Sequence, residues 1–257
     1  MARRTPGAPS PQERRSTGYV YQRLRSMVLS GELPAGSTLS QASLAQDLGV
    51  SRTPLREAAR LLQNEGLLVG EPNQRLRVAG VSLGDLDQLY AVRVATEALA
   101  LRVAVPRMAG EHVEALGEAL EQIGERAVAG GDFDEAHRRF HRLLVEPAGE
   151  RFASIAEPSW DHTSRYRAAY LSAVPDVSGA LLDAQHDHRG ILDCVAAGDG
   201  PAAALALADH YGRTARAVFG AVDDGFSAAA LEEAIASVRL ACEASGAAGA
   251  GLRGARR

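Results

Sequence analysis

Lysine is missing altogether: all 28 basic residues of this 257-residue chain are arginine. Genome composition can produce such a bias, so it carries little functional weight by itself. Cysteine is nearly missing, with Cys194 and Cys242 alone. Two cysteines build neither a disulfide framework nor a cysteine zinc knuckle, which points to a reducing cytoplasm. Aromatic residues make up only 5%, so the 46% of hydrophobic residues rests on Ala, Leu and Val, and Ala and Leu favour helix. No apolar run reaches the ~18 residues of a membrane helix. The opening MARRTPGAPSPQERRS has no apolar segment and does not read as a signal peptide. What is present is enough apolar material for a packed core, which excludes global disorder.

Net charge is −4, an unpromising value for a nucleic-acid binder, but the charge is unevenly spread. Residues 1–80 carry 11 Arg against 6 acids, whereas residues 81–257 carry 17 Arg against 26 acids. A basic head on an acidic body implies that only the head meets a polyanion.

Punctuation divides the chain into four parts. Residues 1–15, rich in Pro, Arg and Gly, read as a disordered arm, either a plain solvated terminus or a basic arm that helps hold DNA. Residues 16–80 predict three helices, at 16–30, 40–48 and 52–65, followed by strand-like stretches at 67–70 and 75–79 around Glu71-Pro72-Asn73-Gln74. That is the outline of a winged helix-turn-helix. Gly80–Gly84 reads as a linker. Beyond it the period is helical, with helices predicted near 85–105, 111–129, 132–146, 149–172, 177–197, 200–220 and 227–243. The expected fold is mainly α: a winged helix-turn-helix followed by an all-helical effector domain over 81–222. A C-terminal helix and a flexible tail from Gly246 fill 223–257.

The stretch from Leu44 to Glu57 has a mechanical logic. Ala45 is small enough for close helix approach, Gly49 can take the left-handed turn conformation, and Val50 plugs the angle between helices. Ser51 can cap the next helix, and Pro54 falls in its first turn, where a missing N–H costs little. On that helix Leu55, Ala59 and Leu62 share one face. Arg52, Arg56 and Arg60 share an adjacent one, as forked donors for guanine or phosphate. Thr53 suits a thymine methyl or a phosphate. A solvated face fits the arginines too, with Arg56 and Arg60 paired to Glu57 and Asn64.

These residues, with Leu33-Pro34-Ala35-Gly36 before them and Leu61…Glu65-Gly66-Leu67 after them, resemble the GntR family of bacterial regulators over residues 17–79. The resemblance implies that Arg52, Thr53 and Arg56 enter the operator major groove while the wing touches the minor groove. The candidate DNA-contacting set is Ser51, Arg52, Thr53, Arg56, Arg60 and, on the wing, Arg75. The family commonly has Arg-Gly at the wing tip, where this chain reads Gln74-Arg75.

Seven histidines punctuate the body. His137 and His141 are spaced i, i+4, so both imidazoles lie on one helical face, near enough to share a metal. His188 and His210 are further candidates, while His162 and His186 read as surface residues and Trp160 as packing. Nitrogen-only ligation suits zinc, nickel or another borderline metal. Arg138 stands where a metalloprotease helix needs its glutamate base.

The same region resembles the metal-binding FCD effector domain of the FadR branch. The residues that carry this are Arg93…Glu97, His137…Phe140-His141, Asp187-His188…Ile191-Leu192, Gly198-Asp199 and His210. The resemblance implies that His137, His141, His188 and His210 hold a divalent metal ion, zinc or nickel foremost. The family usually has Asp, sometimes Asn, where this chain has His137, so an imidazole replaces a carboxylate and the site gains one positive unit. Arg93 and Arg165 are candidate clamps for a small carboxylate-type effector, since arginine fits a carboxylate bidentately. Arg93 is also spaced to pair with Glu97, and Arg165 to be a surface charge.

A symmetric homodimer would let two heads read a palindromic operator. The expected function is a ligand-responsive transcriptional regulator, a repressor foremost, in the cytoplasm and without membrane contact. The alternatives are a metal-dependent hydrolase fused to a DNA-binding head, which lacks an evident base or nucleophile, and an architectural DNA binder without ligand.

Overall fold

The computed structural model describes residues 16–70, 75–80, 82–128, 134–173 and 177–254. The arm expected over 1–15, the wing turn at 71–74 and Gly130-Gly131 lie outside the described residues. The chain divides into two compact units, Met1–Val81 and Ser82–Arg257.

In the first unit, helices α1 (Thr17–Leu29), α2 (Gln41–Asp47) and α3 (Arg52–Asn64) enclose a core with a small antiparallel sheet. The helices start where serines sit. Ser16 accepts the Tyr19 amide at 3.2 Å, and Ser40 accepts the Ser43 amide at 3.4 Å. In both cases the bond reaches the third helical residue. Ser51 holds the same position before α3, in an extended conformation, yet its hydroxyl makes no cap hydrogen bond. This corrects the sequence expectation, and Pro54 explains it: the third helical residue of α3 has no N–H to give. Gly49, at φ +65°, makes the turn between α2 and α3, and the Val50 amide returns to the Ala45 carbonyl at 2.9 Å.

The expected wing strands are β2 (Leu68–Val69) and β3 (Leu76–Val78), preceded in the chain by an additional strand, β1 (Thr38–Leu39). The order is β1-β3-β2, with Leu39 opposite Leu76 and Leu68 opposite Val78. Two residues carry no readable period, so β1 is defined by its partner. The Val78 amide bonds the Ser37 carbonyl at 2.9 Å, and the Gly36 amide bonds the Val78 carbonyl at 3.0 Å. Leu24, Leu55, Leu62, Leu67, Leu68 and Leu76 close the core, each almost fully buried.

Among the described residues of the second unit every regular element is a helix: α4 (Leu83–Ala104), α5 (Gly110–Val128), α6 (Asp134–Val145), α7 (Glu150–Ala173), α8 (Val177–Ala196), α9 (Gly200–Val222) and α10 (Ala229–Gly254), with short 3-10 turns at Val105–Arg107 and Glu146–Ala148. Helix α4 packs against α6, α7, α9 and α10, which is why apolar residues recur on several of its sides. Ser82 opens α4 through the Asp85 amide at 3.2 Å, and Asp199 opens α9 through the Ala202 amide at 2.9 Å. The cap of α10 comes from far away in sequence: Asp87 of α4 accepts the amides of Ala230 and Leu231 at 3.1 and 2.9 Å. Helices α9 and α10 meet closely at Gly212, where a Cβ would stand 2.8 Å from Ile235 Cδ1. Helix also covers, as far as Gly254, the stretch expected to be a flexible tail. Its alanines favour helix strongly enough to carry α10 through the glycines.

Candidate DNA-reading helix and candidate metal centre

Helix α3 has two unlike sides. Leu55, Ala58, Ala59 and Leu62 are buried, with exposures of 2% or less. Arg52, Thr53, Arg56 and Arg60 are exposed, as is Ser51 before them and Arg75 beside β3. The sequence leaves open whether the arginines pair with neighbours. Arg60 does, with Glu57 at 3.6 Å, although both side chains stay about half exposed. Arg52 and Arg56 form no ion pair among the described residues. The helix thus offers two unengaged guanidinium forks and an uncapped first turn to solvent. Such a surface can hydrogen-bond base edges and phosphates without first breaking internal bonds.

The second site is buried. His137 and His141 come from α6, His188 from α8 and His210 from α9, and one nitrogen from each lies within 4.8 Å of the other three. Donors sharing one zinc at about 2.1 Å lie at most about 4.2 Å apart, so the four are within a small side-chain adjustment of a common ion. His141, His188 and His210 have exposures of 1%, 1% and 3%, and His137 is half-buried at the edge. The donor set therefore fits a borderline divalent cation.

The surrounding groups fix two of the imidazoles, His141 and His210. The Tyr211 hydroxyl donates to Glu97 Oε2 at 2.6 Å and faces His141 Nδ1 at 3.0 Å. With its proton on Glu97, the hydroxyl oxygen accepts from Nδ1–H. That tautomer leaves on Nε2 the lone pair that a metal ion would take. Glu97 also accepts from Trp160 Nε1 and from Arg93 Nε, both at 2.8 Å. On the other side, His210 Nδ1 meets Asp187 Oδ2 at 3.3 Å. Arg213 holds the same carboxylate from both sides, at 2.6 Å to Oδ1 and 2.8 Å to Oδ2. Burial alone would raise the Asp187 pKa, but the bonds from His210 and Arg213 outweigh it and hold it at about 2. Burial pushes His210 below the ordinary histidine value against the pull of Asp187, which favours its neutral form, the form able to bind a metal.

Arg93 is not displayed to solvent. Its Nε bonds Glu97, its Nη1 bonds Thr163 Oγ1 at 2.9 Å, and its Cζ sits 4.0 Å from the centre of the Tyr211 ring. The i, i+4 pairing is what the structure places there. Burial would lower the Arg93 pKa, yet Glu97 and the neighbouring rings more than offset it, so the guanidinium stays charged. Arg165 falls on α7, with its side chain outside the described ones. His112 bonds the Leu143 carbonyl at 2.8 Å, and His186 is exposed. Tyr211 escapes sequence reasoning, because no spacing rule links it to Glu97. Trp160, which the sequence marks only for packing, also donates a hydrogen bond.

Two family models match the chain: bacterial regulatory proteins, gntR family, over residues 17–78, and FCD domain over residues 88–213. The Bacillus subtilis HTH-type transcriptional regulator YdhC is 32% identical over 130 residues, covering 49% of this chain and 58% of its own length. The chain thus spans little more than half of that relative. The "Probable D-xylose utilization operon transcriptional repressor" of Paenarthrobacter nicotinovorans is 32% identical over 188 residues, 71% of this chain and 80% of that protein. Among solved structures, Escherichia coli McbR/YncC has the same fold, with a TM-score of 0.66 at 24% identity over 77% of this chain and 93% of its own.

Proposed function

Because this chain belongs to the GntR family of bacterial regulatory proteins, and is a DNA-binding transcriptional regulator with an FCD domain rather than an enzyme, we propose a division of labour between its two units. Residues 16–80 read an operator, and residues 81–222 sense a small organic acid through a divalent metal ion, zinc or nickel foremost. The protein works in the cytoplasm as a homodimer on a palindromic site, and it represses until the acid arrives.

On the head, Arg52, Thr53 and Arg56 enter the major groove, Ser51 and Arg60 hold phosphates, and Arg75 approaches with the wing. The Ser51 hydroxyl, which Pro54 deprives of its usual amide, is free to serve a phosphate instead. In the body His137, His141, His188 and His210 ligate the metal. The bound ion supplies a positive centre for a carboxylate. Arg165 is the second anchor for that carboxylate, while Arg93 acts mainly by holding Glu97, and through it Tyr211 and His141. Ligand binding shifts the arrangement of the body and, through α4, the spacing of the two heads.

The observation that carries this reading is a pairing of opposites. Arg52 and Arg56 are exposed on a helix whose far side is sealed in a core, and four histidines from three helices converge within 4.8 Å. The test is fluorescence anisotropy on duplex DNA from the promoter region of its own gene, at low salt, with zinc and then with a panel of organic acids. Binding that one acid releases is the expected result. No binding to any such duplex in the absence of acid overturns the regulator reading.

A further inference from the structure

The two legs of the wing are held in different ways. The sheet runs β1-β3-β2, so β3 lies between two strands while β2 stands at the edge with one neighbour. The β2–β3 ladder ends with Val69 opposite Arg77. So short an edge strand has little hold on the chain beyond it. Just past Val69 a side chain of α3 takes over: Gln63 Nε2 donates to the Gly70 carbonyl at 2.6 Å. Gly70 is itself pressed against the other leg. Its φ is +142°, and a Cβ there would stand 2.9 Å from the Arg75 carbonyl oxygen. Gly70 and Arg75 flank residues 71–74, so the two backbones at the base of the wing turn lie in close contact. One of them is tied to the helix that carries Arg52 and Arg56.

We infer that Gln63 is a positioning residue for DNA reading: it latches the base of the wing to α3, so that Arg75 meets the DNA backbone in fixed register with Arg52 and Arg56. The inference rests on the reading of those three arginines as DNA contacts, and it adds the part that sets the spacing between them. Arg75 is exposed, and the pairing of Leu76 with Leu39 steadies it from the β1 side only. On the edge side the latch does this work. Without it the edge leg can swing, and each wing orientation that binding must freeze out costs affinity. Gln63 need not touch DNA to act in this way. A hydrogen bond as exposed as this one adds little to folding, because water replaces it readily. Its value lies in holding two contact points at one separation before the DNA arrives.

The experiment uses the full chain and a double-mutant cycle between Gln63→Met and Arg75→Ala. Methionine keeps the length, bulk and helix preference of glutamine and removes the amide. Fluorescence anisotropy is read on duplex DNA from the promoter region of the chain's own gene, over a series of salt concentrations, with denaturation midpoints in parallel. In the parent, Arg75→Ala is expected to weaken binding and to flatten the slope of log affinity against log salt by about 0.9, the share of one phosphate. Gln63→Met is expected to weaken binding nearly as much while leaving the denaturation midpoint in place. Adding Arg75→Ala to it should then cost little more. An equal cost of Arg75→Ala in both backgrounds overturns the latch. So does a Gln63→Met whose weaker binding is matched by a lowered midpoint, since that is loss of fold rather than of register. An Arg75→Ala that binds like the parent removes the wing contact and the latch with it, but leaves α3 standing. A parent chain that binds no such duplex overturns the regulator reading itself.

Discussion

The two units use charged and polar side chains in opposite ways. In the head, Arg52 and Arg56 stand in solvent on one side of α3, and their position is set by apolar neighbours one turn away. In the body, His141, His188 and His210 are buried, and partners from other helices hold two of them, His141 and His210: Tyr211, Glu97 and Asp187 around the cluster, Arg93 and Arg213 behind those. A surface that meets a polyanion gains from being exposed and basic, because the ligand supplies the compensating charge. A buried centre must carry its own hydrogen-bond partners, because any group left unsatisfied there is costly. The charge split between residues 1–80 and 81–257 follows the same division.

The largest effect that would sharpen this contrast is in the cores. Leu62→Ala removes a fully buried side chain from the head and is expected to cost about 2–5 kcal/mol. Anisotropy should show DNA binding lost at growth temperature while zinc still raises the melting temperature of the body. Loss of both together would break the division between the units. Arg56→Ala is expected to weaken operator binding by about 1–3 kcal/mol with no change in melting temperature, since the side chain is exposed and makes no described ion pair. A melting shift without any change in DNA affinity would move Arg56 from recognition to structure.

Asp87→Ala should destabilise the body by about 1–2 kcal/mol, because it leaves the Ala230 and Leu231 amides without their acceptor. Chemical denaturation checks it, and a neutral result would mean water replaces the carboxylate. The smallest effect separates two serines of the same head. Ser40→Ala should cost about 0.5–2 kcal/mol through its lost cap, whereas Ser51→Ala should leave stability unchanged and weaken DNA binding. Equal stability losses for the two would mean that Ser51 caps α3 in solution.

Local signals are legible wherever the relevant partners lie within a turn of one another. Gly49, Val50 and the 3.6-residue recurrence of Leu55, Ala59 and Leu62 are enough to specify the helix-turn-helix. His137 and His141 pair by spacing alone. The Ser51 cap fails because the rule for the capping residue ignores the residue three positions on, which here is Pro54. Strand β1 escapes notice because two residues have no period, and the Asp87 cap because its amides lie far along the chain. Family resemblance, not spacing, brings His188 and His210 into the same set as the α6 pair.

By itself, then, the sequence determined where helices begin and turn, which side of α3 is apolar, and that the head is basic and the body acidic. These depend on interactions between residues a few positions apart, which chain order specifies directly. Only the tertiary structure decided that α6, α8 and α9 bring four imidazoles within 4.8 Å, that Glu97 collects Arg93, Trp160 and Tyr211, and that Asp187 is shared by His210 and Arg213. Those meetings depend on how helices pack, and packing is set by the fit of whole apolar faces rather than by any spacing along the chain.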